Sequence, residues 1–387
     1  MMDGAPVGIY RPAIMCFSHL RWDFVWQRPQ QLLSRAASTL DIIFFEEPVR
    51  APLRAPEPRL RTVLPGVTVA HLDVPHHLSD NTVTSACARY AQQLASGRPE
   101  LLLWYYTPMA LHLGRDIEAG FRIYDCMDDL ASFRHAPPGM QKHEEQLLAT
   151  VDLVLTGGIS LYESRRFRHQ NVHLFPSSVD ARHFAQARAQ GIDPPDQAAI
   201  AGPRIGYFGV IDERLDLGLI ASLAAMRREW HFVFIGPTAK VDPADLPNGP
   251  NIHWLGMKPY ADLPTYLRGW SAGFMPFARN EATRYISPTK TPEFLAAGLP
   301  LVSTRIKDVE SLYGDLVAFA DEPAAFDAAL AGAMALPRAS WLAKVDGRLA
   351  GQSWDATWAG IAGLLPLQAS APPPWFGCEI ARQCMIG

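Results

Sequence analysis

Short apolar runs alternate with stretches whose apolar residues recur at helical spacing, and this rhythm covers most of the chain. In the first half the runs fall at residues 13–17, 41–45, 101–105, 121–124, 153–156 and 172–175. Helix-period stretches lie between them at 27–38, 82–96, 142–151 and 160–168. Continuous apolar strands separated by amphipathic helices predict a parallel sheet covered on both faces. Residues 46–75 break the rhythm with six prolines and with Arg50, Arg54, Arg59 and Arg61. This segment is expected to be a long surface excursion, mobile and solvated.

Residues 188–203 have the small, proline-rich composition of a linker. A second alternation follows, with strands expected at 204–208, 231–235, 252–255, 273–276, 301–304 and 317–320. Its helices are expected at 217–228, 263–271, 292–297 and 323–335. The fold class predicted is α/β, with two Rossmann-like parallel-sheet domains facing across a cleft and ligands at the carboxyl ends of the strands. The first domain is placed at 1–188, the second at 200–350, and a C-terminal helix and tail at 351–387. Trp354, Trp358, Ile361 and Leu365 recur at helical spacing, so that helix needs an apolar partner. Packing back on the N-terminal domain supplies one. The tail 371–387 is expected to be poorly ordered.

Composition narrows the function classes. At 387 residues the chain exceeds what one core sustains, which agrees with two domains. The formal net charge is −4, and residues 1–190 carry 19 basic and 19 acidic side chains, so neither half has the footprint of a nucleic-acid module. The five cysteines (Cys16, Cys87, Cys126, Cys378, Cys384) show no metal-type spacing, and Cys16 and Cys126 sit in apolar runs. A reducing, cytoplasmic setting is the simplest reading. No signal peptide is read at the N-terminus, and no run approaches the roughly 20 apolar residues of a membrane span. Peripheral contact with the inner membrane face stays open, and the four arginines of 46–75 are the candidate surface for a lipid-linked acceptor.

Three places carry chemistry. The first runs from Ser287 and Thr289 through Lys290 and Glu293 to Gly298, a loop feeding a short helix. A lysine at a helix start suits a diphosphate, and a glutamate three residues on can accept from ribose hydroxyls. The alternative is a surface Lys–Glu pair. The second is Asp128–Asp129, just after an apolar strand. Asp128 is the candidate general base and Asp129 the candidate helix cap. The third is the polar cluster of His19, Arg21, Trp22 and Asp23 after the first strand, a candidate acceptor site. Its alternative has Trp22 packing on Trp26 and Asp23 capping the next helix. No G-x-G-x-x-G follows the first strand, and no Asp-x-Asp follows any strand. His71, His76 and His77 lack the partners of a metal site. No metal or cofactor is therefore expected.

Several of these segments together resemble GT-B glycosyltransferases, most closely the bacterial enzymes grouped with family 4. The resemblance rests on Pro276, Phe277, Asn280 and Glu281, followed by Pro288, Lys290, Glu293, Gly298 and Pro300. It extends to the segment from Ser18 to Pro29, to Tyr124–Asp129, to Phe175–Asp180, to Ile205–Gly209 and to the region of Trp354. It implies transfer of a sugar from a UDP- or GDP-linked donor, as co-substrate, to a hydroxyl on a carbohydrate or lipid-linked acceptor. Surface polysaccharide or glycolipid synthesis is the implied setting. The resemblance places Lys290 on the donor diphosphate, Glu293 on the ribose, Gly209 in a tight turn against the ligand, and 256–258, including Lys258, beside the nucleobase through backbone groups. Asp128 matches an aspartate of some inverting members. Two departures stand out. Tyr285 occupies the position of the usual first glutamate, and the R-x-x-x-x-K-G element after Gly209 is absent, leaving Arg214 to supply its charge. The rival readings are a nucleotide-sugar epimerase of the same fold and a catalytically idle sugar-nucleotide-binding protein.

Overall fold

The computed structural model describes residues 11–367. The first residues and the expected tail 371–387, with Cys378 and Cys384, lie outside the described residues. Nine strands form the first sheet: β1 (Ala13–Ser18), β2 (Asp41–Glu46), β3 (Val49–Ala51), β4 (Glu57–Leu64), β5 (Val67–Pro75), β6 (Leu101–Tyr105), β7 (Phe121–Cys126), β8 (Leu153–Thr156) and β9 (Val172–Leu174). Their order is β3-β5-β2-β1-β6-β7-β8-β9, with β4 antiparallel to β5 and the other pairings parallel. β1 shows why its run is apolar throughout. Met15 and Phe17 enter one core with Leu103, Tyr105 and Tyr124, while Ile14 and Cys16 enter the opposite one with Phe44, Trp104 and Ile123. A strand buried on both faces has no polar side to offer.

The second sheet comprises β10 (Arg204–Phe208), β11 (His231–Ile235), β12 (Ile252–Trp254), β13 (Ala272–Met275), β14 (Leu301–Ser303) and β15 (Val317–Phe319). It is parallel, in the order β12-β11-β10-β13-β14-β15. Strand addition reverses direction between β10 and β13, as it does between β1 and β6 in the first sheet. In open α/β sheets the crevice at such a reversal, beyond the carboxyl ends, is where ligands sit. The loops after β1 and after β10 line one cavity between the sheets.

Residues 46–75 are not the expected excursion but most of three strands. The burial of β5 alternates along much of its length, and six prolines do not prevent it. Pro48, Pro52, Pro56 and Pro65 lie between strands, Pro75 ends β5, and Pro58 sits in the exposed strand β4, where a missing N–H is tolerated. The arginines there are largely spoken for: Arg50 pairs with Asp80 at 2.6 Å, Arg59 with Asp73 at 2.5 Å, and Arg61 with Asp23. The second core also starts earlier than the 188 boundary, since Val179, Phe184 and Ala187 pack in it.

The helix Trp354–Ala362 docks on the first sheet. Trp354 (1% exposed), Ile361 and Leu365 join the core of Phe44 and Trp104, and Arg35 pairs with Asp355 at 2.9 Å. Trp354→Ala should therefore destabilise the protein by about 3–5 kcal/mol. Urea titration checks this, and a loss well below 1 kcal/mol would mean the helix adds little to the fold.

Candidate functional site

Gly209 follows β10 and Gly236 follows β11, and both positions require that there be no side chain. Their φ values are 145° and 147°, and a Cβ on Gly236 would meet the Gly209 carbonyl oxygen at 1.8 Å. The two strand ends thus close on each other and leave backbone bare on the wall of a cavity of about 380 Å³. Gly236 escaped the sequence reading, although it follows its strand as Gly209 does. On the same wall lie Ser287 and Thr289, in the loop before the helix Lys290–Ala296, and Lys290, which begins that helix. Lys290 Nζ stands 4.7 Å from the Phe208 ring centroid and donates to Glu293 Oε2 at 2.8 Å.

The Lys290–Glu293 pair is internal rather than a surface pair. Glu293 is 3% exposed and lies behind Lys290, outside the cavity lining. Burial pushes its carboxyl up, and the Lys290 ammonium holds it down. Arg214 lines the cavity and grips Asp212 through two nitrogens, at 2.7 and 2.9 Å. Lys258 also borders the cavity, but Asp196 takes its ammonium at 2.6 Å, so only the rest of the residue is free to face a ligand. Tyr285 stands outside the cavity lining. It packs against the core of the first sheet, with Arg165 5.9 Å from its ring.

The facing wall comes from the first sheet. Asp128 follows β7 and lines the cavity. Burial raises its carboxyl to about 6, with Arg214 opposing the rise and Asp212 and Asp129 adding to it. That places its proton affinity near neutrality, where a general base works best. Asp129 turns elsewhere. Its carboxylate pairs with Arg165 and accepts from Ser132 instead of capping backbone N–H groups. Beneath them a buried pair braces the strand ends. Arg28 bonds Asp125 at 3.0 Å and donates to the Phe175 carbonyl at 2.8 Å.

The cluster after β1 divides. Trp22 is 5% exposed and packs edge-on against Phe44 and Trp26, at 5.1 and 5.9 Å, so packing claims most of it. Arg21 is held by Glu46 at 3.0 Å and stands outside the cavity lining. Asp23 reaches the cavity but caps nothing; Gln27 caps the helix that follows. His19 also stands outside the lining. Burial, with Lys240 nearby, lowers it to about 4, so it is neutral at physiological pH. Among the described residues no three potential ligands gather to hold a metal ion, and His71 instead contacts Asp73 at 3.2 Å.

The two walls are pinned together beside the donor loop. Asp308, just after β14, is 1% exposed and accepts from the backbone N–H of Ser160 at 3.0 Å and from its hydroxyl. Ser160 opens a helix of the first domain, so a carboxylate of one domain satisfies a helix start of the other. Ser177 adds a hydrogen bond to the Ser287 carbonyl at 3.1 Å. No pattern in the sequence singles out Asp308, because its partner lies 148 positions away. Asp308→Ala should cost about 1–3 kcal/mol by stranding the Ser160 donors, and Asp308→Asn less. Thermal denaturation of the two variants checks this, and equal losses would mean the carboxylate's acceptor role is not what matters.

With this geometry in hand, comparison with known proteins identifies the architecture. Residues 202–335 match the family described as Glycosyl transferases group 1. A stretch of 149 residues is 28% identical to a Bacillus subtilis protein named as a glycosyltransferase of teichuronic acid biosynthesis, covering 37% of this chain and 36% of that protein. The match thus spans about a third of that relative's length. The whole fold aligns with an α,α-trehalose-phosphate synthase (UDP-forming) from Burkholderia vietnamiensis at TM-score 0.65 and 16% identity, covering 92% of this chain and 98% of that one. It aligns also with the sucrose-phosphate synthase of Thermosynechococcus elongatus at TM-score 0.66 and 14% identity, covering 92% and 98%. An E. coli trehalose-6-phosphate structure bound with UDP-2-fluoro glucose gives TM-score 0.67 at 13% identity, covering 92% and 99%. The chain has the GT-B fold, and the part of it that matches the glycosyl transferases group 1 model is the second sheet domain.

Proposed function

We propose that this protein transfers a glycosyl group from a nucleotide-diphosphate sugar, UDP- or GDP-linked, to a hydroxyl acceptor bound over the first domain. One observation carries the reading: Asp128 from the first sheet and Lys290 and Arg214 from the second converge on a single cavity. In the transfer, the acceptor oxygen bonds to the anomeric carbon as the bond from that carbon to the β-phosphate oxygen breaks. Asp128 takes the acceptor proton. Lys290 and Arg214 meet the charge that develops on the departing diphosphate.

The Lys290–Glu293 pair fits this role by exchanging partners. An incoming diphosphate draws the ammonium forward, and the released Glu293 carboxylate accepts from ribose hydroxyls. The acceptor side is a carbohydrate or a lipid-linked carbohydrate, used in surface polysaccharide or glycolipid synthesis. Contact with the inner membrane face belongs to the same reading; among the described residues no helix is long and apolar enough to cross a membrane. The B. subtilis relative's name supports the polysaccharide setting.

Incubation with a panel of nucleotide sugars tests the reading. Slow release of the nucleotide from one donor, accelerated by a competent acceptor, is the expected result. A changed sugar without nucleotide release would indicate the epimerase instead. Binding without any turnover, across donors and acceptors, would indicate an idle module.

A further inference from the structure

A second cavity, of about 660 Å³, lies outside the interdomain cleft. It is bounded by the linker residues 187–191 and Asp193, by the turn at Arg268–Trp270, by the Gly298 turn and by the start of the helix Arg338–Leu349. Three arginines line it: Arg188, Arg268 and Arg338. Their charges are poorly balanced. The one carboxylate in the lining, Asp193, is committed to Arg204 at 2.6 Å. Arg188 pairs with Asp346 at 2.8 Å, and Asp346 is more than half exposed. Among the described residues, neither Arg268 nor Arg338 has a carboxylate partner.

Backbone contacts occupy only part of the donor capacity. Arg338 gives two N–H groups, to the Gly298 carbonyl at 2.8 Å and the Ser271 carbonyl at 2.7 Å. Arg268 reaches the Gln186 carbonyl with one long bond of 3.4 Å, and its Nε is buried with no acceptor. A guanidinium has five N–H donors, and a buried one left unpaired is costly enough to ask for a partner. Arg338 stands at the exposed side of the cavity, and Arg268 is the half-buried one of the two. The linker is pressed against this group: a Cβ on Gly191 would meet Arg268 Nη1 at 1.9 Å.

We propose that this cavity is an anion site, separate from the cleft, that takes a phosphate group held by Arg268 and Arg338 with Arg188 at the rim. Planar guanidiniums present paired donors that match a phosphate's oxygens, and two uncompensated ones supply charge for a dianion. The volume is enough for a phosphate ester of a small metabolite as well as for free phosphate. Occupation ties the linker between the two sheets to the helices of the second domain.

Calorimetry with inorganic phosphate and with glycerol 3-phosphate, on the whole chain, tests this. The Lys290→Met/Glu293→Gln variant should retain phosphate binding, which separates this site from the cleft. Arg268→Gln should weaken that binding at least about 10-fold, the loss of a charge-assisted pair. Ala189→Glu places a carboxylate at the exposed edge of the cavity lining. It should abolish phosphate binding and raise the melting temperature in phosphate-free buffer, so the test survives if Arg268→Gln folds poorly. Tighter binding of glycerol 3-phosphate identifies an ester as the ligand, and tighter binding of inorganic phosphate the free ion. Unchanged phosphate affinity in Ala189→Glu, or binding that disappears with the Lys290→Met/Glu293→Gln change, overturns the proposal.

Discussion

Asp128→Asn should lower sugar transfer by about 10²–10⁴-fold while leaving affinity for the donor nucleotide nearly intact. Asparagine has almost the same shape but cannot take the acceptor's proton. Two further effects mark the base role. The wild-type rate should fall on the acid side with a midpoint near the carboxyl's value of about 6, and the variant should lose that limb. Stability should move the other way. The folded protein raises this carboxyl from 3.8 to about 6, so its charged form is disfavoured on folding. The neutral form's advantage is full below about pH 4 and is lost as pH rises through about 6. Asp128→Asn should therefore be more stable than wild type at pH 8, by about 2–3 kcal/mol at most, and the gain should vanish near pH 4. Steady-state transfer and urea titration across pH measure both. Near-wild-type turnover in Asp128→Asn would remove the base and point to a retaining transfer.

Lys290→Ala should damage both binding and folding. Removing a charge-assisted contact to the diphosphate should weaken nucleotide binding by about 1.5–3 kcal/mol. Folding suffers because the ammonium is paired inside the protein. Glu293 would be left as an unpaired carboxylate 3% exposed, and breaking such a pair costs about 3–5 kcal/mol. Lys290→Met/Glu293→Gln removes both charges and should recover most of that stability without recovering the nucleotide. Calorimetry with UDP and GDP, beside denaturant titration, separates the two effects. Equal nucleotide affinity in wild type and the double variant would take the pair out of the site.

The fold was legible because strands buried on both faces must be apolar throughout, and twelve of the fifteen fall on short apolar runs of the sequence. β3, β4 and β5 do not: β3 and β4 are mostly exposed, β5 alternates buried and half-buried positions that include His71 and Asp73, and the prolines around them resemble a loop. The helix Arg338–Leu349 was missed for a related reason, as its apolar face is narrow: Trp341, Val345 and Leu349 alone are buried. Gly209, Asp128 and Lys290 could be singled out because each follows a strand or opens a helix in a recognisable segment, and all three line the cavity. What could not be read was partnership at long range. Arg21 is claimed by Glu46, Lys258 by Asp196 and Ser160 by Asp308, and none of these pairings leaves a local pattern. Those partners decide which charges remain free for a ligand.

One nucleotide-diphosphate sugar is expected to bridge the two walls of the cleft. Backbone hydrogen exchange with and without the donor chosen by the panel tests it most directly. Protection should appear together in three places: the Gly209–Arg214 and Gly236 turns, the Ser287–Lys290 loop, and the segment around Asp128 in the other domain. Protection confined to one of the two domains, with the donor demonstrably bound, would contradict that bridging.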